Sequence, residues 1–260
     1  MNIRGLQSNY INLLQFLKDT AISYDCILLS EAWISNQNQL IDKDIEGYDI
    51  FYSSSGLNKA SGVILYIKNN TFNKIVLNQN KSLILDYLHI SLSIDEITFS
   101  LILIYRSPSL CPKISINELQ TRLSDIKEPN GILAGDFNFD ISPKNINNFG
   151  CEYLSLMGSM GLSCLSKQTT RSTPSHNSCI DHIFYRDKNI IVDDHQTLKL
   201  DFSDHYGIEF KIKPLTYIFT NNQATSKINF NLLNKYISQH NWDVVFEIED
   251  TEILTSKLTT

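Results

Sequence analysis

The chain is organised around one stretch, Gly131-Ile132-Leu133-Ala134-Gly135-Asp136-Phe137-Asn138. Its apolar half predicts a short strand buried on both faces, and Gly135 predicts a turn of the backbone where that strand ends. Residues two apart in an extended chain point the same way, so Asp136 and Asn138 are expected to meet at the rim of a sheet. A carboxylate can take or position a proton and a carboxamide can hold a phosphate oxygen, although the same two residues also suit a simple Asx turn.

Composition indicates one large globular domain, with or without an extension. The chain has 260 residues, of which 42% are hydrophobic, and a net charge of -6. That charge argues against a protein that grips nucleic acid through bulk positive charge, but it allows an enzyme that acts on nucleic acid through a local site and bound cations. No window approaches the length of apolar chain that spans a bilayer, so we expect no signal peptide, no membrane span and no membrane partner.

The cysteines are widely scattered and odd in number. They are Cys26, Cys111, Cys151, Cys164 and Cys179. No spacing among them suits a zinc site or a disulfide framework, so we predict buried free thiols and an intracellular location.

Hydrophobic periodicity predicts three helices and eight or more strands within about 213 residues. The helices are predicted at 8–21, with Ser8 as the N-cap, at 115–127 and at 148–160. Outside the opening stretch, strands are predicted at 26–29, 47–52, 61–67, 83–94, 97–105, 162–165, 179–185, 197–200 and 206–212, with a tight hairpin at 95–96. This series predicts an α+β fold of two packed sheets with helices outside. Pro214 marks the predicted boundary between a domain of residues 1–213 and a linker, or the start of a missing downstream region, at 214–260.

Polar side chains recur at the ends of these apolar strands. They are Glu31, Tyr105, Asp136, Asn138, Asp181, Asp204 and His205, and Asn2 joins them if the N-terminus is also a strand end. A buried carboxylate costs several kcal/mol unless it is paired or bound to a cation, so four acids at such places predict one shared metal site. Oxygen ligands without a Cys/His cluster favour Mg²⁺ or Mn²⁺ over zinc.

Three histidines near these strands need separate interpretations. His205 is predicted to pair with Asp181, whose carboxylate would hold the ring and stabilise its charged form. His182 is interpreted as a hydrogen-bonded histidine of the sheet, and His89 as an exposed one.

The order of these motifs resembles the endonuclease/exonuclease/phosphatase superfamily. The motifs are NIRGL at Asn2, LLSEAW at Glu31, LIYRSP at Tyr105, GDFN at Asp136 and Asn138, IDHIF at Asp181, and SDH at Asp204 and His205. The closer likeness is to the apurinic/apyrimidinic-endonuclease-like domain of non-LTR (LINE-type) retrotransposons, over residues 2 to about 213. Tyr105 favours that branch, because deoxyribonuclease I-like and phosphatase-like members usually carry histidine there. The resemblance implies a four-layer α/β/β/α sandwich of the deoxyribonuclease I type, with the site at one edge of the paired sheets.

The resemblance also implies a metal site. Glu31 resembles the principal ligand of the Mg²⁺ (or Mn²⁺) ion, with Asn2 close to it. Asp204 resembles a further metal contact, made either directly or through a water molecule. Family members normally carry a few apolar residues before this asparagine, whereas only Met1 precedes it here, so we expect the first core strand to be cut short, as in a fragment or a mis-set start.

The remaining motif residues resemble groups that act on the phosphate. Asp136 resembles the residue that orients or deprotonates the attacking water. Asn138 and Tyr105 resemble contacts to the scissile phosphate. His205, oriented by Asp181, resembles the group that binds this phosphate and stabilises the developing negative charge.

The segment Arg171–Ser178 resembles a hairpin that these domains place in the minor groove of double-stranded DNA. Predicted DNA contacts are Thr170, Arg171, Ser172 and Ser178, together with Arg106 beside Tyr105. A solvated hairpin without a DNA role is the alternative.

The resemblance implies a metal-dependent endonuclease that nicks DNA for target-primed reverse transcription. We expect a monomer that acts in the nucleus and reaches the RNA of its element only through missing domains. A phosphatase or exonuclease of the same superfamily, and an inactive remnant of a retroelement, remain the alternatives.

Overall fold

The computed structural model of the chain describes residues 1–54, 56, 58–78, 84–94, 97–126, 128–165, 167–186 and 190–214. The predicted hairpin at 95–96 and the predicted linker, apart from Pro214, lie outside these residues. None of the helices in this part of the chain is long and apolar enough to cross a membrane.

Three α-helices lie in the described part of the chain, at α1 (Leu6–Thr20), α2 (Pro112–Ser124) and α3 (Asn148–Ser159). α1 begins at Leu6, two residues before the predicted N-cap Ser8. Its N-cap is instead Gly5, whose φ is 96°. α2 begins earlier than predicted because proline suits the first turn of a helix.

The strands are β1 (Cys26–Leu29), β2 (Tyr48–Ser53), β3 (Val63–Lys68), β4 (Asn73–Asn78), β5 (Asp86–Ile94), β6 (Ile97–Tyr105), β7 (Gly131–Asp136), β8 (Ser163–Cys164), β9 (Arg171–Ser172), β10 (Asn177–Ser178), β11 (Asp181–Arg186), β12 (Ile190–Leu198) and β13 (Gly207–Pro214). Sequence reasoning missed β4, an edge strand whose Ile75 and Val76 are exposed and give no alternation. Pro214, predicted to follow the last strand, is the last residue of β13 and pairs with Ile190.

The main sheet has six strands in the order β4-β5-β6-β7-β11-β8, and only its β6–β7 pair is parallel. A second, antiparallel sheet has the order β1-β3-β2. β12 pairs with β13, and β9 with β10, as separate antiparallel ribbons.

The layers follow from the two faces of β3. Val63, Leu65 and Ile67 pack between the two sheets, against residues such as Leu101 and Leu103 of β6. The other face of the small sheet packs on α1 through Ile64, Tyr66, Leu6 and Leu13. α2 and α3 cover the outer face of the main sheet through Leu119, Tyr153 and Met157, which meet Ile102 and Ile104. The predicted four-layer α/β/β/α sandwich is therefore confirmed.

Gly135 stays within β7 and does not turn the chain as predicted. A Cβ atom at this position would lie 1.8 Å from the carbonyl oxygen of Ile104, so only glycine lets β6 and β7 approach this closely. The parallel register then places Tyr105 directly beside Asp136.

Two side-chain predictions need correction. His89 is not exposed; it is buried, and its Nε2 lies 2.8 Å from the hydroxyl oxygen of Ser100. All five cysteines are free, as predicted, but Cys111 and Cys151 are exposed and only Cys179 is fully buried.

The N-terminal residues run parallel to the end of β1. The amide of Ile3 donates to the carbonyl of Ser30 over 2.9 Å, and the amide of Ser30 donates to the carbonyl of Met1 over 3.0 Å. Asn2 is thereby held beside Ser30, one residue before Glu31. Among the described strands β13 pairs only with β12, and a largely apolar cavity of about 550 Å³ lies between β1, β13 and the strands β7 and β11.

Candidate active site

Four polar side chains from distant parts of the chain form one buried cluster. Nδ1 of His205 lies 2.7 Å from Oδ2 of Asp181, and the side-chain nitrogen Nδ2 of Asn2 donates to Oδ2 of Asp136 over 2.9 Å. The same nitrogen lies 3.4 Å from Nε2 of His205. Ligand atoms of Asp136, Asp181 and His205 all fall within 4.8 Å of one another. The predicted Asp–His pair is thus present in the structure, and the side chain of Asn2 lies between the ring of His205 and Asp136.

Strand register builds this cluster. β7 and β11 are antiparallel neighbours, and their register places Asp181 opposite Asp136. Tyr105 lies on the other side of Asp136, at the end of β6. The carboxylates therefore come from adjacent central strands and need no flexible loop to meet.

Two hydroxyl groups stabilise the cluster, a role that sequence reasoning did not assign to them. The hydroxyl oxygen of Thr170 accepts the amides of Ile180 and Asp181, over 3.0 and 2.9 Å. The hydroxyl of Ser203 donates to the carbonyl of Asn2 over 3.0 Å and accepts the amide of His205 over 3.1 Å. These contacts fix the entry to β11 and the loop that carries His205.

Crowded carboxylates shift the pKa values within the cluster. Burial, followed by the negative charges of Asp181 and Glu31, raises the pKa of Asp136 to about 8, although His205 and Asn2 oppose the shift. Burial lowers the pKa of His205, but the carboxylates of Asp181 and Asp136 together raise it by a larger amount. The net pKa therefore lies above the ordinary value. The imidazolium form of His205 is therefore favoured beside its two acids.

The donor set fits a divalent cation. Asp136 is fully buried beside Asp181, and burial, followed by the charges of Asp181 and Glu31, raises its pKa, so a cation at this place would offset negative charge. Carboxylate and amide oxygens are the donors that Mg²⁺ and Mn²⁺ prefer. Glu31 and Asn2 are the residues that we expect to hold the ion.

The cluster opens to a cleft of about 420 Å³ through His205. Tyr105 and Asn138 line this cleft, as do Glu31 and the basic residues Arg4, Lys59 and Arg171. Burial raises the pKa of Tyr105, and the charges of Glu31 and Asp136 raise it further, so this hydroxyl remains a proton donor. The cleft thus brings a basic lining to an otherwise acidic chain.

Backbone strain is concentrated around the cleft. Its lining includes four non-glycine residues with positive φ: Arg4 at 50°, Glu31 at 49°, Trp33 at 56° and Asn138 at 50°. Such conformations cost free energy and cluster at functional sites, where the surrounding structure enforces them. The strain marks this cleft independently of the titrating groups.

Asn138 reaches the cleft by a different route from the one predicted. β7 ends at Asp136, and the amide of Asn138 donates to Oδ1 of Asp136 over 3.1 Å, which is the Asx turn considered as the alternative. The carboxamide of Asn138 donates to the carbonyl of Arg106 over 2.8 Å. The Asx turn at Asp136 therefore also places Asn138 in the lining of the cleft.

The predicted metal contact Asp204 and the predicted DNA contact Arg106 are placed differently. Both oxygens of Asp204 meet arginines, Arg4 and Arg171, which lower its pKa to about 2 although burial opposes this. Arg106 is buried, donates to the carbonyls of Phe137 and Leu110, and stacks on a ring of the core. Its position supports a structural role in this loop, and its predicted contact with DNA stays a prediction.

The remaining predicted DNA contacts divide into two groups. Arg171 and Ser172 form β9, are partly exposed, and lie at the base of the β9–β10 hairpin. Thr170 and Ser178 are buried, and the amide of Thr170 donates to the carbonyl of Ser178 over 2.9 Å at the base of the hairpin. Sequence reasoning missed Arg4 and Lys59 at the cleft. The sequence signal for Arg4 was its place two residues after Asn2.

Comparison with known proteins identifies the family and the fold of this chain. Residues 1–205 match the model of the Endonuclease/Exonuclease/phosphatase family. No curated protein matches the sequence. Among solved structures, the endonuclease domain of TRAS1, a telomere-specific non-LTR retrotransposon, is 16% identical with a TM-score of 0.65, over 83% of this chain and 96% of that one.

Two further solved structures share the fold at similar identity. D. rerio TDP2 complexed with single-strand DNA product is 19% identical with a TM-score of 0.57, over 82% of this chain and 96% of that one. The Xenopus laevis APE2 catalytic domain is 18% identical with a TM-score of 0.57, over 82% of this chain and 91% of that one. At these identities the likeness concerns the fold. The family match over most of the sequence shows that this chain belongs to the endonuclease/exonuclease/phosphatase family.

Proposed function

We propose that this chain is a divalent-metal-dependent endonuclease that nicks double-stranded DNA for retrotransposition. The observation that carries the proposal is the junction of the Asp136–Asn2–His205–Asp181 cluster with a cleft lined by Arg4, Lys59 and Arg171, in a chain whose net charge is -6. A local basic cleft suits a polyanionic backbone where the whole protein would repel it. Its point of action would be chromosomal DNA, and hence the nucleus.

Hydrolysis of a phosphodiester needs a water proton to be removed and negative charge on the phosphate to be offset. Asp136 is placed to accept the proton, and Asn2 and the Asn138 amide hold its two oxygens in position. A divalent cation held by Glu31 and Asn2 would supply positive charge that lowers the pKa of Asp136 and offsets charge on the phosphate.

The charged ring of His205 serves the other side of the reaction. Asp181 holds its Nδ1, so that Nε2 is the nitrogen left for a phosphate oxygen. The hydroxyl of Tyr105 and the carboxamide of Asn138 are further donors in the cleft. If the bond between phosphorus and the 3′ oxygen breaks, the products are a 5′-phosphate and a 3′-hydroxyl that can prime DNA synthesis.

The test is a supercoiled-plasmid assay with Mg²⁺, with and without EDTA. We expect Mg²⁺-dependent nicks that a DNA polymerase can extend, and we expect Glu31→Gln to lower the rate about a thousandfold or more, since a lost metal ligand removes several kcal/mol of stabilisation. Glu46→Gln, at an exposed position outside the cleft, is the matched control and should nick like the parent.

Other outcomes identify other functions. Hydrolysis of a small phosphate monoester without plasmid nicking would favour the phosphatase of the same superfamily. Mg²⁺-dependent nicks that a polymerase cannot extend would contradict the role in priming. Full activity of Glu31→Gln would show that Glu31 is not a metal ligand.

A further inference from the structure

Asp204 joins two arginines that are far apart in the sequence. Its Oδ1 meets Nη1 of Arg4, and its Oδ2 accepts Nε of Arg171 over 2.8 Å. Arg4 lies next to the N-terminal strand segment and Arg171 lies in β9. The three side chains remain 27 to 40% exposed, so the group is at the surface of the cleft and not in the core.

The arginines retain donors for a ligand. Each guanidinium gives Asp204 one nitrogen, and the other nitrogens have no partner among the described residues. Because both groups contact one carboxylate, they are held close together with their free N–H groups at the same cleft. A guanidinium presents its donors in a fork that matches phosphate geometry.

Backbone geometry places this group beside the catalytic cluster. Arg171 forms a bridge pair with His205, and paired residues on neighbouring strands carry their side chains close together. The amide of Arg4 donates to the side-chain oxygen of Asn2 over 3.1 Å. Each arginine is therefore held beside a residue of the cluster, Arg171 beside His205 and Arg4 beside Asn2.

Stability alone does not account for the arrangement. Exposed ion pairs contribute little to folding, whereas the left-handed backbone of Arg4, at φ 50°, costs free energy. The strain is more readily explained by the position it gives the side chain at the mouth of the cleft.

We propose that Arg4 and Arg171 form a clamp for a backbone phosphate next to the scissile one, and that Asp204 positions the two guanidinium groups. The arginine clamp, defined as Arg4, Asp204 and Arg171, rests on the proposed DNA activity and names its substrate contact. Asp204 then acts through the arginines, since each of its oxygens contacts one guanidinium. This differs from the metal contact expected from the sequence.

The first test measures binding of a short DNA duplex in EDTA by fluorescence anisotropy at several salt concentrations. Each phosphate contact contributes about one unit to the slope of log K against log salt. Arg4→Ala and Arg171→Ala should each weaken binding and lower that slope, and the double variant, which removes the whole phosphate contact, should reduce it by about one. Lys113→Ala removes one charge from an exposed ion pair with Glu152 on the outer helices, outside the cleft, and should leave the slope unchanged.

The second test separates positioning from metal binding. Calorimetric titration with Mn²⁺ in the absence of DNA should give the same affinity for Asp204→Asn as for the parent, whereas Glu31→Gln should bind the ion much more weakly. In the plasmid assay Asp204→Asn should raise the KM for DNA and leave the Mg²⁺ concentration for half-maximal activity unchanged. Loss of Mn²⁺ affinity in Asp204→Asn would overturn the positioning role.

The clamp and the proposed function can fail separately. Binding in EDTA requires no catalysis, so a parent protein that binds DNA through both arginines but does not nick would retain the clamp and lose the endonuclease. A parent that nicks, with arginine variants that change only the melting temperature and not the salt slope, would retain the endonuclease and overturn the clamp.

Discussion

The same two strands, β7 and β11, border two regions of opposite character. At their ends Asp136 and Asp181 enter the polar cluster, in which each side chain makes defined hydrogen bonds. Along their length Ala134 and Ile183 line the apolar cavity of about 550 Å³. Each side chain of the polar cluster has a hydrogen-bond partner, whereas the apolar cavity is incompletely filled.

The difference reflects unequal penalties. A buried polar or charged group without a partner costs much of its hydration energy, so the residues of the cluster can share this space only as a complete network. An apolar void forfeits only the contacts that are missing from its walls, so a domain can tolerate it. The cluster should therefore respond to single changes as a unit, whereas the cavity should respond locally and weakly.

The largest effect is expected for the Asp181–His205 pair. Asp181→Asn and His205→Asn should each lower the nicking rate about a thousandfold, because the ring loses either its orienting charge or its presence at the phosphate. The double variant should lose about as much as one single variant, since the pair works as one device. The measurement is kcat in the plasmid assay for all four proteins, with circular dichroism to confirm folding.

A double loss equal to the product of the two single losses would contradict this prediction. It would mean that Asp181 and His205 act independently despite their 2.7 Å contact. The network would then be a set of separate groups, and its contrast with the cavity would weaken.

The next effect concerns His182, which lies behind the cluster on β11. Burial lowers the pKa of His182 to about 4, in spite of its contact with the carbonyl of Cys179 and the charge of Asp181. Its Nδ1 lies 3.0 Å from the Tyr153 hydroxyl and its Nε2 lies 3.0 Å from the Cys179 carbonyl oxygen. The folded protein thus holds this ring neutral.

A pKa below the unfolded value makes stability depend on pH in a fixed direction. Between pH 6.5 and about 4 the unfolded chain binds a proton that the folded protein excludes, so the free energy of unfolding falls as the pH falls. The full loss is about 3 kcal/mol, and nearly all of it develops below pH 6.5. Denaturant unfolding at a series of pH values would measure it.

The variant His182→Asn isolates this contribution. Asp136 and His205, whose raised pKa values give stability that is lost as the pH rises, titrate in both proteins and cancel in the difference between them. The stability of the parent relative to the variant should decrease between pH 6.5 and 4. A difference that stays constant with pH would show that the ring is not held neutral.

Sequence reasoning went furthest where local pattern and tertiary structure agree. β1 and β6 were predicted at their observed bounds because both are apolar runs between polar breaks. The Asp181–His205 contact was expected from the placement of both residues at the ends of apolar strands, and the structure brings them together. The roles of these residues in catalysis stay predictions.

Sequence reasoning does not reach the tertiary contacts that surround several of these residues. Arg106 looks like a free cation in the sequence, yet the loop after β7 closes over it. Asp204 looks like a metal ligand, yet two arginines that are far apart in the sequence occupy its oxygens. Gly135 suggests a turn, and only the distance to Ile104 shows that a neighbouring strand requires it. No spacing along the chain encodes these approaches.

The smallest effect tests the cavity. Ala134 is the smallest apolar side chain on its wall, so Ala134→Val should add two methyl groups to unfilled space and suit the strand. At about 0.8 kcal/mol per buried methylene, partly offset by side-chain entropy, the variant should be about 1 kcal/mol more stable and melt a few degrees higher. Ala32→Val is the matched control, because Ala32 is fully buried against α1, lines neither the cavity nor the cleft, and should lose about 1 to 3 kcal/mol through overpacking. Equal destabilisation of both variants would show that the space beside β7 is filled in solution, and the two regions would then be equally well packed.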